Sequence, residues 1–374
     1  MIYKTIKEIN EARFALSPPG DTLQTILDDR SMSQIDLARR MNKHKKTINE
    51  IIKGHASITP ETAIELENTL NIPADFWLER DRRYQLHLAE INEAEKIIRE
   101  KEWASGFPLL EMKKYAFIEN ERDLVSTTKN LYLFFGITSE EAFNGVYSNL
   151  YTQYSAFRIS DKHKVNRNAI IAWLRRGEKQ AEDILVKEFD TKKVNELIPI
   201  FKEIMVNQED FFFDELQLLC SECGIRLVHT PKLPKAPVNG ATRWYRNNPL
   251  LQLSNRYQRN DIFWFTFFHE LGHIVKHGKK DVFLEGFEYT PEGLEKEKEA
   301  DAFAVKCTYS NEESAYLKKL PQINKQIIID YADKLNTHPA IIIGRIAHES
   351  NKDEKKYLNM IGWQEGFFKK IVFD

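Results

Sequence analysis

Cysteine is scarce: the chain of 374 residues holds three. That number excludes a disulfide framework and fits a reducing cytoplasm, the expected location. No apolar stretch of about 18 residues occurs, and residues 1–10 lack the apolar segment of a signal peptide. Neither secretion nor a membrane span is therefore expected. An excess of one charge is also missing. Lys and Arg total 54 and Asp and Glu 56, a net charge of −2, so any basic surface must be local. What is present is apolar: 42% hydrophobic residues, with 23 Phe and 14 Tyr, suit a packed globular protein rather than a disordered one. The length allows two or three domains with a substantial core.

The most informative stretch runs from Asp261 to Gly278 and contains His269-Glu270-Leu271-Gly272-His273. On a helix each residue turns about 100°, so positions four apart share a face. His269 and His273 can then aim two imidazoles at one ion, with Glu270 placed to reach a water beside it. Asp261 is the expected N-cap and Gly278 the expected C′ residue. The run from Ile262 to Phe268 is apolar almost all round, the mark of a helix buried in its own domain.

Two histidines need a third ligand. His277 continues the spacing, but eight residues put it about 12 Å along the axis from His269, too far for one ion at about 2 Å from each. Its expected place is the helix C-terminus, where its charge suits the dipole. Downstream, Glu297 and Asp301 are four apart in a helical pattern with Ala300, Phe303 and Ala304 on the buried side. Glu297 can ligate while Asp301 accepts the second ring N–H of a ligand histidine. Glu299 falls on another face. The plain alternative is a solvated acidic helix.

The first eighty residues read as short amphipathic helices with clear punctuation. Ser17-Pro18-Pro19-Gly20 is a turn. Helices are expected over 22–30, 34–41 (capped by Ser33, with Asp36 completing a capping box) and 44–53. A fourth starts at Pro60, and a fifth follows Pro73. Ile35, Leu37 and Ala38 are expected inward on the second, and Ile48, Ile51 and Ile52 on the third. The second and third make a helix-turn-helix. Between Ser31 and Pro60 there are six Lys or Arg against two acids, a cluster suited to phosphate. His44, Lys45, Lys46 and Asn49 are the candidate base readers, and Gln34 is placed on phosphate. A basic bundle that contacts only protein is the alternative.

The segment resembles the Xre/Cro-type DNA-binding domain, and in particular the HigA-type antitoxins. The carrying residues are Pro19 to Leu23, Met32 to Arg40, Thr47 to Ile51, Ile58 to Ala63 and Phe76-Trp77-Leu78.

The middle is helical by pattern, over 124–135, 139–143, 167–176, 178–188 and 192–205, and carries no evident chemistry. Residues 81–102 are expected as a solvated connecting helix. Trp173 and Tyr147, Tyr151, Tyr154 and Phe157 are assigned to core. Cys220 and Cys223 are expected as buried free thiols, since no further zinc ligands have suitable spacing. A strand follows from Gly224. A hairpin over 240–245 and 249–254 then gives a small sheet whose edge can pair with an extended peptide.

From Cys220 to about Ala347 the chain resembles the ImmA/IrrE metallopeptidases. The resemblance rests on Phe268 to Ile274 with His277, on Gly240 to Trp244 and Leu251 to Ser254, and on Glu297-Lys-Glu299-Ala300-Asp301-Ala-Phe303-Ala304. His338-Pro339 to Arg345 resembles the closing helix of that family. Phe107 to Met112 and Phe134 to Ala142 are similar to the version with an N-terminal Xre domain. The resemblance implies a Zn2+-dependent, gluzincin-like site; several members cleave repressors in stress or mobile-element control. One departure is Val305 to Ser310, less apolar than the family pattern of an apolar helix ending in Leu-x-Pro.

The expected fold is α+β and mostly helical. It comprises a five-helix helix-turn-helix bundle (1–80), a helical connector (81–217), a gluzincin-like domain with a small β-sheet (218–350) and a C-terminal tail (351–374). The expected function is a DNA-binding transcriptional regulator with a zinc endopeptidase. His269, His273 and Glu297 hold the metal, Glu270 is the base and Asp301 stands behind a ligand. Arg243, Tyr245 and His338 are candidate oxyanion donors. The expected partners are an operator in double-stranded DNA, a protein substrate (a repressor, a partner or the chain itself) and a second copy in a homodimer. Two alternatives stay open: a non-enzymatic repressor or antitoxin-like regulator that senses or dimerises through the zincin domain, and a digestive peptidase with a vestigial DNA domain.

Overall fold

A computed structural model describes residues 3–156, 165–256, 259–277, 283–284, 291–309, 324–350 and 352–371. Gly278 and Phe157 lie outside the described residues, as does Tyr151 and Tyr154 side-chain placement. The described elements are α1 (Ile6–Ala15), α2 (Pro19–Asp29), α3 (Gln34–Arg40), α4 (Lys45–Ile52), α5 (Pro60–Leu70), α6 (Ala74–Ala104), α7 (Leu109–Lys114), α8 (Leu124–Phe135), α9 (Glu140–Ala156), α10 (Arg167–Glu182), α11 (Thr191–Asn207) and α12 (Phe212–Glu222). Then come β1 (Arg226–Thr230), β2 (Gly240–Tyr245), β3 (Asn248–Ser254), α13 (Asn260–Lys276), β4 (Phe283–Leu284), α14 (Pro291–Thr308), α15 (Lys325–Leu335), α16 (Pro339–Glu349) and α17 (Lys352–Gln364). No helix among the described residues is long and apolar enough to cross a membrane.

The chain forms two compact units: Met1–Ser105 with Glu121–Leu133, and Gly106–Asn120 with Phe134–Asp374. In the first, the five expected helices are α2 to α6. Their core is Leu23, Leu27, Leu37, Ala38, Met41, Ile48, Ile51, Ile58, Ala63, Leu66, Leu70 and Trp77. Ile35 departs from expectation and is 42% exposed. Two residues before Leu37, it lies about 200° away on α3, opposite the buried side. The Ser33 hydroxyl accepts from the Asp36 N–H, but the Asp36 carboxylate accepts from the Ser33 hydroxyl at 2.5 Å instead of closing a capping box.

An additional helix, α1, precedes the bundle. Thr5 and Glu8 cap its start reciprocally. The helix expected after Pro73 and the charged run after it are one helix, α6, so the division expected after residue 80 falls inside it. This run is not a solvated spacer. Ile91, Ala94, Ile97, Ile98 and Ala104 are buried, a stripe at helical spacing, and Arg13 of α1 pairs with Glu95 at 2.8 Å.

The second unit is built on a sheet of order β1-β3-β2-β4. β1 runs parallel to β3; β2 is antiparallel to both β3 and β4. The β2–β3 turn closes at Tyr245 opposite Asn248, with Arg246 at φ 56°. One face of the sheet takes α10, expected as two helices but continuous through Gly177. An added Cβ there would stand 2.1 Å from the Gln252 side chain, so glycine lets helix and sheet touch. Gln252 donates to the Trp173 carbonyl at 2.7 Å, and Trp173 is core as expected. The other face takes α13, buried over Thr266 to Ile274. Its aromatic run Phe263-Trp264, Phe267-Phe268 packs with Phe201 of α11, with Leu251 and Leu253 of β3, and with Ile342, Ile343 and Ile346 of α16. Cys220, Cys223 and Cys307 are buried free thiols.

Residues 352–371 of the C-terminal segment are structured. Phe367, Phe368 and Ile371 join the core. Asn260 donates to the Phe367 carbonyl at 3.2 Å, and the Arg259 guanidinium lies 3.9 Å from the Phe368 ring centroid. This segment therefore anchors the start of α13.

Candidate metal centre and nucleic-acid interface

The metal centre depends on how closely α13 and α14 approach. A Cβ added at Gly272 would lie 3.1 Å from the Ala300 Cα and 3.2 Å from the Phe303 Cβ. Glycine on one helix and alanine on the other permit that contact, which brings Glu297 alongside the two histidines. The Nε2 atoms of His269 and His273 are 3.0 Å apart. The Glu297 carboxylate lies 3.3 Å from the first and 3.2 Å from the second. A tetrahedral zinc with bonds of about 2.0–2.1 Å sets its ligands about 3.3 Å apart. The three groups therefore fit that ion, and two nitrogens with one carboxylate are a donor set zinc accepts.

Hydrogen bonds turn the rings toward the centre. His269 Nδ1 donates to Asp301 Oδ1 at 2.8 Å, which leaves Nε2 as a bare lone pair. Both rings are almost fully buried. Burial lowers His273 to about 4, so it stays neutral and able to ligate at ordinary pH. Burial would raise the Glu297 carboxyl, but the His269 and His273 rings against it outweigh that and hold it at about 2.

Glu270 is fully buried. Its backbone carbonyl accepts from the Thr242 hydroxyl at 3.2 Å. A Cβ added at Gly240 would stand 2.7 Å from Glu270 Oε1 and 2.8 Å from its Cγ. The start of β2 thus lies flat against this side chain, and a larger residue at 240 would displace it. The hairpin pattern places Gly240 and Thr242 on a strand but not against Glu270, because no local pattern marks a contact about 30 residues away in the chain.

The candidate oxyanion donors do not join the centre. Gly240 and Thr242 meet Glu270, and strand alternation turns Arg243 and Tyr245 to the α10 side. Arg243 donates to the Leu174 carbonyl at 2.6 Å and to Gln252 at 3.0 Å; Tyr245 donates to Glu182 at 3.0 Å. His338 caps α16, its Nδ1 accepting from the Ala340 N–H at 3.1 Å. Its neighbour Thr337 donates to the Thr308 carbonyl, eleven residues and about 16 Å down α14 from Glu297. Asp261 is also placed differently: the N-cap is Arg259, and Asp261 sits in the first turn, paired with it. His277 is the C-cap residue. Its ring Nδ1 lies 3.1 Å from His273 Nδ1, and its Nε2 lies 3.0 Å from Glu299 Oε2, so Glu299 faces His277.

In the first unit, α3 and α4 enclose a turn in which Asn42 takes the left-handed conformation at φ 50°. His44 is the N-cap residue of α4, and His44, Lys45 and Lys46 are exposed at its first turn. Asn49 donates to Gln34 at 3.4 Å and Gln34 donates to Gln24 at 2.8 Å, so the two polar candidates brace one another between helices. Lys43 is paired with Glu65 at 2.9 Å.

A family model described as Helix-turn-helix matches residues 23–77, and one described as IrrE N-terminal-like domain matches residues 220–316. The chain belongs to the Xre-like helix-turn-helix regulators and carries an IrrE/ImmA-like domain. One relative is an uncharacterized HTH-type transcriptional regulator, YddM, of Escherichia coli K12. It is 33% identical over 72 residues, which span 19% of this chain and 77% of the relative. A solved structure from Coxiella burnetii, an addiction module antidote protein of a HigA family, is 27% identical. That match covers 23% of this chain and 94% of the other, with a TM-score of 0.21. Gln34, His44, Lys45, Lys46 and Asn49 fall within the helix-turn-helix match. The metal-centre candidates fall within the IrrE-like match. Where the IrrE-like domain departs from the apolar family pattern, Cys307, Thr308 and Tyr309 are nonetheless buried.

Proposed function

We propose that the protein is a DNA-binding regulator whose IrrE-like domain is a zinc-dependent endopeptidase, acting in the cytoplasm on a repressor, a partner protein or its own chain. The convergence of His269 Nε2, His273 Nε2 and the Glu297 carboxylate, all within 4.8 Å of one another beside Glu270, carries this reading. When bound there, zinc supplies Lewis acidity that acidifies water and polarises a carbonyl. His269, His273 and Glu297 hold it, and Asp301 fixes the His269 tautomer. Glu270 takes the proton of the attacking water on its carboxylate and returns it to the leaving amine as the peptide C–N bond breaks. The buried walls around α13 limit bulk water at these groups.

Metal analysis tests this. One zinc per chain is expected in the purified protein, and loss of it in His269→Ala. Metal-free protein that still binds its operator would instead favour the non-enzymatic regulator.

For the DNA-binding part, Lys45→Ala/Lys46→Ala is expected to weaken operator binding roughly tenfold or more and to flatten its salt dependence by up to about two log–log units. The exposure of both lysines at the start of α4 supports that placement. Unchanged affinity and slope in a binding titration across salt concentrations would move the interface elsewhere.

A further inference from the structure

We propose that His277 and Glu299 form a positioning relay that sets the ring of His273 as a metal ligand. The inference rests on the metal-centre reading above. The two ligand histidines are supported differently. His269 reaches a carboxylate directly, through Nδ1 to Asp301. The Nδ1 atom of His273 instead faces His277 Nδ1 at 3.1 Å, and His277 passes the contact to Glu299 at 3.0 Å.

The tautomers follow from the outer end inward. The Glu299 carboxylate is an acceptor, so the facing His277 Nε2 carries the proton. In that tautomer His277 Nδ1 is bare and accepts. His273 must donate to it from Nδ1, and its own Nε2 is left as a lone pair directed at His269 and Glu297. The relay thus specifies the one tautomer of His273 that can ligate.

Backbone geometry makes the arrangement possible. His277 leaves the helix in extended conformation, φ −113° and ψ 157°, while its N–H still bonds the His273 carbonyl at 3.0 Å. On α14, Glu299 is two residues from Glu297 and so about 200° around, off the metal-facing side. The His277 side chain is 4% exposed and that of Glu299 54% exposed, so the relay runs from the buried centre to the surface. Outer partners of ligating histidines typically affect metal affinity by roughly 10–100-fold.

Zinc affinity measured by competition with a chromophoric chelator tests the relay on the full chain. His277→Ala is expected to bind zinc roughly 10–100-fold more weakly. His277→Asn should recover most of that loss, because its Oδ1 replaces Nδ1 as the acceptor. Glu299→Ala should cost less, and should add nothing in the His277→Ala background. In cobalt-substituted protein the visible spectrum should shift in His277→Ala and return toward wild type in His277→Asn. A merely structural role would move thermal stability of the apoprotein and leave the spectrum alone. If wild-type protein takes up no stoichiometric zinc, the metal reading itself fails. If it does, and affinities are unchanged or the two losses simply add, the relay is overturned. Should His277→Ala not fold, His277→Asn with and without Glu299→Ala decides the coupling: Glu299→Ala should then have no effect, since Asn offers no donor toward it from the Nε2 position.

Discussion

Glu270→Gln is expected to lower peptide cleavage by about 10²–10⁴-fold while zinc content stays at the wild-type level. The substitution is nearly isosteric, so the tight fit against Gly240 and Thr242 is kept. The amide has no basic oxygen that can take the proton of water. Metal affinity should hold because the ligands are on other residues: His269 stays fixed by Asp301, and Glu297 stays against both rings. Cleavage of a co-purified repressor or of the chain itself, followed by mass spectrometry, reads the first quantity; elemental analysis reads the second. Retained cleavage would remove Glu270 from the chemistry. Loss of zinc together with activity would show that its role is to shape the centre.

That the metal-centre candidates could be named from sequence follows from the helix. Two pairs of residues four apart, His269 with His273 and Glu297 with Asp301, need only a helical repeat to share faces, and α13 and α14 supply it. The glycine and alanine that let these helices touch were visible as letters but carry meaning only once the helices are paired. The facing of Arg243 and Tyr245 was not legible. Strand alternation separates odd from even positions, but which set meets α13 is decided by tertiary packing. His277 lies too far along the axis to ligate, which is consistent with its ring contacting the back of His273.

Other misses had local signals. Thr5-Ile-Lys-Glu8 is a capping box and marks α1. Ile91, Ala94 and Ile98 are spaced as a buried stripe in a run whose charge suggested solvent. The C-terminal Phe367-Phe368 had no periodic context at all, and its burial depends on where α13 begins. Composition-based reading fails at such places because a short apolar pair is stabilised only by a surface that distant residues build.

Gly20→Ala is expected to destabilise the helix-turn-helix unit by about 3 kcal/mol, the upper end of ordinary overpacking, and to abolish operator binding at moderate temperature. Gly20 lies in the first turn of α2 and is buried. A Cβ there would stand 2.2 Å from the Ile52 carbonyl oxygen, 2.3 Å from the Ile52 Cα and 2.4 Å from the Ile51 carbonyl oxygen. All three are backbone atoms at the end of α4, so no rotamer change relieves the clash; α2 must withdraw or the last turn of α4 must deform. Either movement disturbs the helix that presents Lys45, Lys46 and Asn49. The sign of the effect is diagnostic. In an open helix the same change would stabilise by up to about 1 kcal/mol, because alanine restricts the unfolded chain and favours the helical state. A lower thermal midpoint with lost DNA binding, at unchanged zinc content, would show steric contact prevailing over helix propensity. A raised midpoint with normal binding would mean that α2 and α4 do not approach as closely as the structure places them.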